Sequence, residues 1–75
     1  MNFRLNDTVQ TRLGPGIFQG RYGVVDRETH KEDEVVALVR LPINEQTAPH
    51  LQDPNCLTPN ASGRGLWLFS ESELS

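Results

Sequence analysis

The chain has 75 residues, a formal net charge of −3 and a single cysteine, so we expect one small domain, residues 1–75, without an intrachain disulfide. Its acidity argues against tight, sequence-independent binding of nucleic acid, which depends on lysine and arginine. No signal peptide and no membrane-spanning window is recognised, and we therefore expect a cytoplasmic protein without a membrane partner.

The first third of the chain predicts two β-strands. Residues 8–12 alternate in polarity, and the Gly-Pro-Gly sequence at 14–16 is expected to form a turn. Residues 17–26 are rich in β-branched and aromatic side chains, which favour a strand. Gly20 and Gly23 lie within this segment, and glycine inside a strand is typical of a bulge or a bend. A long, bent strand is therefore predicted.

An acidic segment separates the second strand from the third. Residues 26–34 contain five acidic and two basic side chains, a local net charge of −3, and are predicted to form a solvated turn. Residues 34–41 then carry apolar side chains on both faces of a strand, which indicates a central strand or one covered by a partner. We expect one core to contain Val9, Val36 or Val35, Leu38, and Leu68 or Trp67.

A long segment without a helical or strand pattern follows. Residues 42–64 include four of the five prolines, and loops of this length in small domains are usually functional or disordered. The loop also contains apolar residues such as Leu51 and Leu57, so we predict an ordered flap over one face of the domain. Residues 65–69 predict an apolar strand, and the spacing of Ser70 and Glu73 predicts a capping box.

These elements predict an all-β fold, a small barrel of four or five strands with a long proline-rich loop at 42–64 and a C-terminal single helical turn. Their order resembles SH3-like barrels. The chain also resembles the small plasmid-encoded, trimethoprim-insensitive dihydrofolate reductases. The resemblance lies in its length, in the aromatic-Gln-Gly sequence at 18–20, and in the aromatic-ended strand and terminal turn at 66–74.

The resemblance implies a homotetrameric pore whose active surface is a Val-Gln-Ile-Tyr segment. The matching segment here is 66–69, where Trp67 replaces the glutamine and Phe69 replaces the tyrosine. Arg12 is the basic residue at the position expected before the first turn. Since both polar groups of the segment are replaced, we predict no reductase activity, while assembly through this strand is still expected.

No catalytic residue, metal site or cofactor is predicted. His50, Asp53 and Cys56 are three residues apart, and all three types bind metals. Prolines interrupt the segment, and it lacks the second pair of ligands that a zinc site needs. A polar loop is therefore predicted, with Cys56 as a small semi-buried residue that anchors it.

Trp67 is the most informative residue for function. Leu66 and Leu68 alternate with Trp67 and Phe69, so one pair faces the core and the other pair must be covered by something else. The long loop is one candidate for that role, and a second subunit is the other, because aromatic residues are enriched at interfaces. A sheet edge left open after the terminal turn also favours pairing. We therefore expect a non-enzymatic binding or assembly module that forms a homo-oligomer or binds a protein partner.

Two other functions are compatible with the sequence. A small-molecule-binding protein or enzyme would have its site at an oligomer interface, and a nucleic-acid-binding barrel would use several arginines on one face. The candidate binding residues are Gln19, Arg21, Tyr22, Trp67 and Phe69, and the arginines are Arg12, Arg21, Arg40 and Arg64.

Overall fold

The computed structural model describes residues 3–25, 28–29 and 32–75. Its strands form one antiparallel sheet in the order β1-β2-β3-β4, which confirms the predicted all-β class. Part of the predicted acidic turn, residues 26–27 and 30–31, lies outside the described residues. The elements are β1 (Thr8–Thr11), β2 (Gly14–Val25), β3 (Glu32–Pro42), β4 (Arg64–Ser70) and the 3₁₀ turns Ala48–His50 and Glu71–Glu73.

The turn between β1 and β2 is two residues long, 12–13, so the prediction of a turn at 14–16 is wrong. Thr11 closes it with its side chain. The Thr11 hydroxyl accepts a hydrogen bond from the backbone N–H of Leu13 and donates one to the carbonyl of Gly14, both at 2.9 Å. The Thr11 side chain thus closes the turn, a role that was expected of the Gly-Pro-Gly sequence.

Two glycines shape β2. A Cβ at Gly16 would lie 2.6 Å from Val39 Cγ1, so only glycine lets the strand approach the core at this point. Gly20 has a φ of +128°, and the register of β2 shifts between Phe18 and Gly20. The predicted irregularity in this strand is therefore confirmed. The extra residue, Gln19, changes which side chains of β2 face the core.

The core lies on one face of the sheet, and we call the opposite side the outer face. Val9 and Trp67 share the core, but Leu38 lies on the outer face, so the prediction that Leu38 joins them is wrong. Because both faces of β3 are apolar, alternation alone did not identify the face that packs inward. The buried core residues are Val9, Leu13, Phe18, Ala37, Val39, Leu41, Cys56, Trp67, Phe69 and Leu74.

The loop between β3 and β4, residues 43–63, covers the core face. Ile43 and Leu51 pack against the core cluster, and the indole N–H of Trp67 donates a hydrogen bond to the carbonyl of His50 at 2.9 Å. The prediction of an ordered flap over one face is therefore confirmed, but the face it covers is the core face that contains Trp67, and not the β4 side chains that point away from the core. Leu57 was expected to belong to this cover, but it borders the outer face and is 53% exposed.

Backbone hydrogen bonds extend the sheet at both edges. At the β4 edge, the N–H of Leu68 donates to the carbonyl of Asn55 at 2.9 Å. At the β1 edge, Gln10 and Ser75 exchange two bonds, of 2.9 Å from the Gln10 N–H and 3.2 Å from the Ser75 N–H. The end of the described chain therefore lies against the first strand at Gln10.

The terminal turn has the predicted capping box. The N–H of Ser70 donates to Glu73 Oε1 at 3.3 Å, and the turn that follows is the 3₁₀ turn Glu71–Glu73. Leu74 then packs into the core. The box directs the chain from the end of β4 back toward β1.

Candidate functional site

The outer face carries an apolar groove of about 330 Å³. Val36 and Leu38 of β3 and Leu68 of β4 form its floor. Tyr22 lies on the β2 side and is 51% exposed, and Leu57 lies beyond β4 and is 53% exposed. We call these five residues the outer groove.

Strand register places the members of the outer groove together. Tyr22 pairs with Val36 across β2 and β3, and Leu38 pairs with Leu68 across β3 and β4. Side chains of directly paired residues point to the same face of a sheet. Gly20 pairs with Leu38 on the β2 side, and a Cβ at Gly20 would lie 3.7 Å from Cε2 of the Tyr22 ring.

A backbone hydrogen bond positions the far wall of the groove. The N–H of Leu57 donates to the carbonyl of Leu66 at 2.9 Å, which holds the Leu57 backbone beside β4. The Leu57 side chain borders the groove while most of its surface faces solvent. The outer groove therefore has an exposed apolar side chain on each side of a buried floor.

The lining of the outer groove is uncharged. Among the described residues that border it, the Tyr22 hydroxyl is the single polar side-chain group. Acid-base, nucleophilic and metal chemistry all require ionisable or nucleophilic side chains. Among the described residues of this lining only the Tyr22 hydroxyl is ionisable, so the groove is suited to binding an apolar surface.

The structure separates the predicted binding residues. Tyr22 borders the outer groove, but Trp67 is 0% exposed and Phe69 is 2% exposed, and both lie in the core. Their burial follows from the register of β4, which directs Trp67 and Phe69 inward and Leu66 and Leu68 outward. A single copy of the chain thus presents neither aromatic ring to a ligand.

The other two predicted residues lie on the core side of β2. Arg21 Nε is 2.6 Å from Glu71 Oε1, and its guanidinium lies 5.1 Å from the centre of the Phe18 ring. Gln19 Nε2 donates to the carbonyl of Phe18 at 3.3 Å. Arg21 therefore joins β2 to the terminal turn, and Gln19 bonds to the backbone at the bulge.

The arginines of the nucleic-acid hypothesis do not share a face. Arg12 Nε lies 3.6 Å from Glu73 Oε2, and its guanidinium is 5.7 Å from the centre of the core ring Phe69. Arg40 and Arg64 instead border a concavity on the outer face. Arg12 and Arg21 thus form ion pairs with the terminal turn, whereas Arg40 and Arg64 lie on the outer face.

The spaced His, Asp and Cys residues form a pair and not a triad. His50 Nδ1 lies 2.8 Å from Asp53 Oδ2, whereas Cys56 Sγ is 3.9 Å from Thr58 Oγ1. Within the part of the chain that the structure describes, no three His, Cys, Asp or Glu side chains are grouped to hold a metal ion.

Sequence reasoning missed most of the outer groove. The sequence predicts Leu38 in the core, with Val36 or Val35 and with Leu68 or Trp67, and it predicts Leu57 in the flap. Alternation did predict that β3 and β4 each have a second apolar face, and that signal identifies the groove once the core face is known.

Comparison of the chain with protein-family models, with curated proteins and with solved structures found no match. In the described residues, no helix is long and apolar enough to cross a membrane.

Proposed function

We propose that the chain is a non-enzymatic assembly module in which two copies associate through the outer groove. The observation that carries this proposal is an apolar floor between two exposed apolar side chains, Tyr22 and Leu57. The core face is already covered by the chain's own loop, whereas the outer groove, among the described residues, is an apolar surface that a partner can reach. Clustered exposed apolar side chains of this kind mark interaction sites.

The shape of the groove favours a second copy as the partner. In a two-fold dimer the same patch meets itself, so the exposed Leu57 of each copy can enter the groove of the other. The uncharged lining matters because the chain has a net charge of −3, and like charges repel two copies. The outer groove lets them meet without placing carboxylates against each other.

We also propose that the four-stranded sheet is an SH3-like barrel. Three features support this architecture: the bulge at Gln19 in a 12-residue β2, the 3₁₀ turn Glu71–Glu73, and the bonds between Ser75 and Gln10. A bulge bends a strand enough for it to take part in both halves of a small barrel. In such a barrel the core is the interior, and the outer groove lies on the outside.

Sedimentation velocity across a dilution series tests the assembly proposal. The unmodified protein is expected to pass from monomer to dimer as its concentration rises. Leu57→Asp is expected to stay monomeric, because it places a charge in the centre of an apolar interface. The matched control is Leu5→Asp, at a leucine that is 65% exposed and does not line the groove. This control is expected to dimerise like the unmodified protein.

Circular dichroism of each variant checks that the sheet is intact. Two results would overturn the proposal. One is an unmodified protein that stays monomeric at high micromolar concentration. The other is a folded Leu57→Asp variant that dimerises as well as the Leu5→Asp control does.

A further inference from the structure

A second concavity, of about 300 Å³, lies on the outer face toward the end of the sheet where Pro42 pairs with Arg64. All four strands contribute to it. Its floor is apolar, and two arginines and a threonine hydroxyl stand at its borders. Its lining includes Thr8 of β1, Pro15 and Ile17 of β2, Arg40 and Pro42 of β3, and Arg64 of β4.

The strand register brings the two arginines close together. Arg40 pairs with Leu66, and Pro42 pairs with Arg64, so Arg40 and Arg64 are diagonal neighbours on one face of the sheet. Such neighbours have Cα atoms about 7–8 Å apart, within reach of long side chains. Two positive charges at this spacing repel each other unless an anion lies between them.

The described part of the chain does not provide that anion. Its ion pairs join Arg12 to Glu73, Arg21 to Glu71 and His50 to Asp53, and none of them includes Arg40 or Arg64. Asp7, which is next to Thr8 in the sequence, instead accepts a hydrogen bond from the backbone N–H of Arg4 at 2.8 Å. Two neighbouring guanidinium groups therefore border an open concavity without a carboxylate partner among the described residues.

We propose that this concavity binds a small organic oxyanion, whose phosphoryl or carboxylate group is held between Arg40 and Arg64. Guanidinium groups donate paired hydrogen bonds that match the geometry of both kinds of oxyanion. The Thr8 hydroxyl is a further donor. The apolar part of the ligand would rest on Ile17 and Pro42. This site is separate from the outer groove and does not depend on self-association.

The size and charge of the site favour a small ligand over a nucleic acid. A volume of about 300 Å³ is at the lower end of the range for small-molecule sites. A polynucleotide needs many neutralised phosphates for tight binding, whereas this site offers two arginines on a chain whose net charge is −3. A single anionic group with a compact apolar body fits these limits.

Titration calorimetry with phenyl phosphate and with benzoate tests the proposal, and the two ligands show which oxyanion is preferred. Saturable binding of at least one of them is expected, and phenol, which lacks the oxyanion, is not expected to bind. Arg40→Gln and Arg64→Gln are each expected to weaken binding by on the order of tenfold or more, the effect of losing a charged hydrogen bond.

Arg12→Gln is the matched control, because it removes the same charge at a site paired with Glu73. It is expected to bind the ligand as the unmodified protein does, and so is Leu57→Asp, the variant that separates this site from self-association. Binding of neither ligand, or equal weakening by Arg12→Gln and Arg40→Gln, would overturn the proposal. Single-stranded DNA that binds more tightly than phenyl phosphate and requires the same two arginines would also overturn it, by assigning the site to nucleic acid.

Discussion

Trp67 is held from several directions inside the core. Its side chain is 0% exposed, its indole N–H bonds to the His50 carbonyl at 2.9 Å, and its backbone bridges to Cys56. A Cβ at Gly65 would lie 2.6 Å from Trp67 Cζ3, so glycine there leaves room for the ring. Trp67 was predicted as a candidate interface residue, but in the structure it joins the flap to the sheet.

Trp67→Ala is expected to lower the free energy of unfolding by about 3–5 kcal/mol, the usual cost of removing a large buried aromatic side chain. Small proteins have only about 5–15 kcal/mol in total, so a large share of the stability would be lost. Because these contacts lie within one chain, the loss should be the same at all protein concentrations. Urea denaturation monitored by circular dichroism measures it.

Leu5→Ala serves as the control for Trp67→Ala. Leu5 is 65% exposed, and substitutions at exposed positions usually change stability by no more than about 0.5 kcal/mol. A Trp67→Ala variant that is as stable as Leu5→Ala would contradict the placement of Trp67 in the core. A loss that disappears on dilution would instead place the ring in an interface.

β3 contributes side chains both to the core and to the outer groove. Val39 and Leu41 face the core, while Val36 and Leu38 form the floor of the outer groove. On the core side the strand is covered by its own chain, and on the outer side Val36 and Leu38 are a buried floor between the exposed side chains of Tyr22 and Leu57. The two leucines of β3 therefore provide a matched pair of the same residue type on opposite faces.

Leu41→Ala is expected to cost about 2–5 kcal/mol at every protein concentration, because Leu41 is 0% exposed in the core of a single chain. Leu38→Ala should also destabilise the dilute protein, because Leu38 is 9% exposed, but its cost should rise with concentration as the dimer forms, since binding stabilises the folded state by mass action. Denaturation midpoints for both variants across a dilution series measure the difference. Equal costs for the two variants at all concentrations would contradict the assignment of the two faces.

The elements were largely predictable from local sequence, but the choice of face was not. Valine and leucine predicted β3, and Ser70 with Glu73 predicted the terminal turn, because these signals act over a few residues. The inward face of β3 depends on the register with β2, and the extra residue Gln19 sets that register. The positions of Arg40 and Arg64 on one face likewise follow from strand pairing, which a single sequence does not display.

At the scale of the whole molecule, a chain of 75 residues buries only about 60% of the surface that its unfolded form exposes. This chain uses its long loop to complete the core, and it uses its terminal residues to bond β1. At the outer groove the chain buries the floor, but it leaves Tyr22 and Leu57 51% and 53% exposed. Self-association there would add buried apolar surface at the place where the single chain leaves it exposed.

The arrangement of the whole chain also bears on reductase activity. In the reductases that the sequence resembles, the strand corresponding to 66–69 forms the active surface. Here Trp67 and Phe69 are 0% and 2% exposed, and the one polar group of the two side chains, the indole N–H, is bonded to His50. Arg12, which would supply the positive charge, is paired with Glu73. The side chains at 67 and 69 are thus inside the core, and Arg12 is already paired.

We therefore expect no oxidation of NADPH by dihydrofolate above background when the purified protein is assayed by absorbance. The assay is run at a high micromolar protein concentration, so that a site formed only by assembled copies would also be detected. An active trimethoprim-insensitive reductase is the positive control, and Leu57→Asp reports on the unassembled chain. Turnover by the unmodified protein that is lost in Gln19→Ala would contradict the prediction. Because Gln19 bonds to the backbone at the bulge, circular dichroism of that variant must show an intact sheet for its loss of turnover to count.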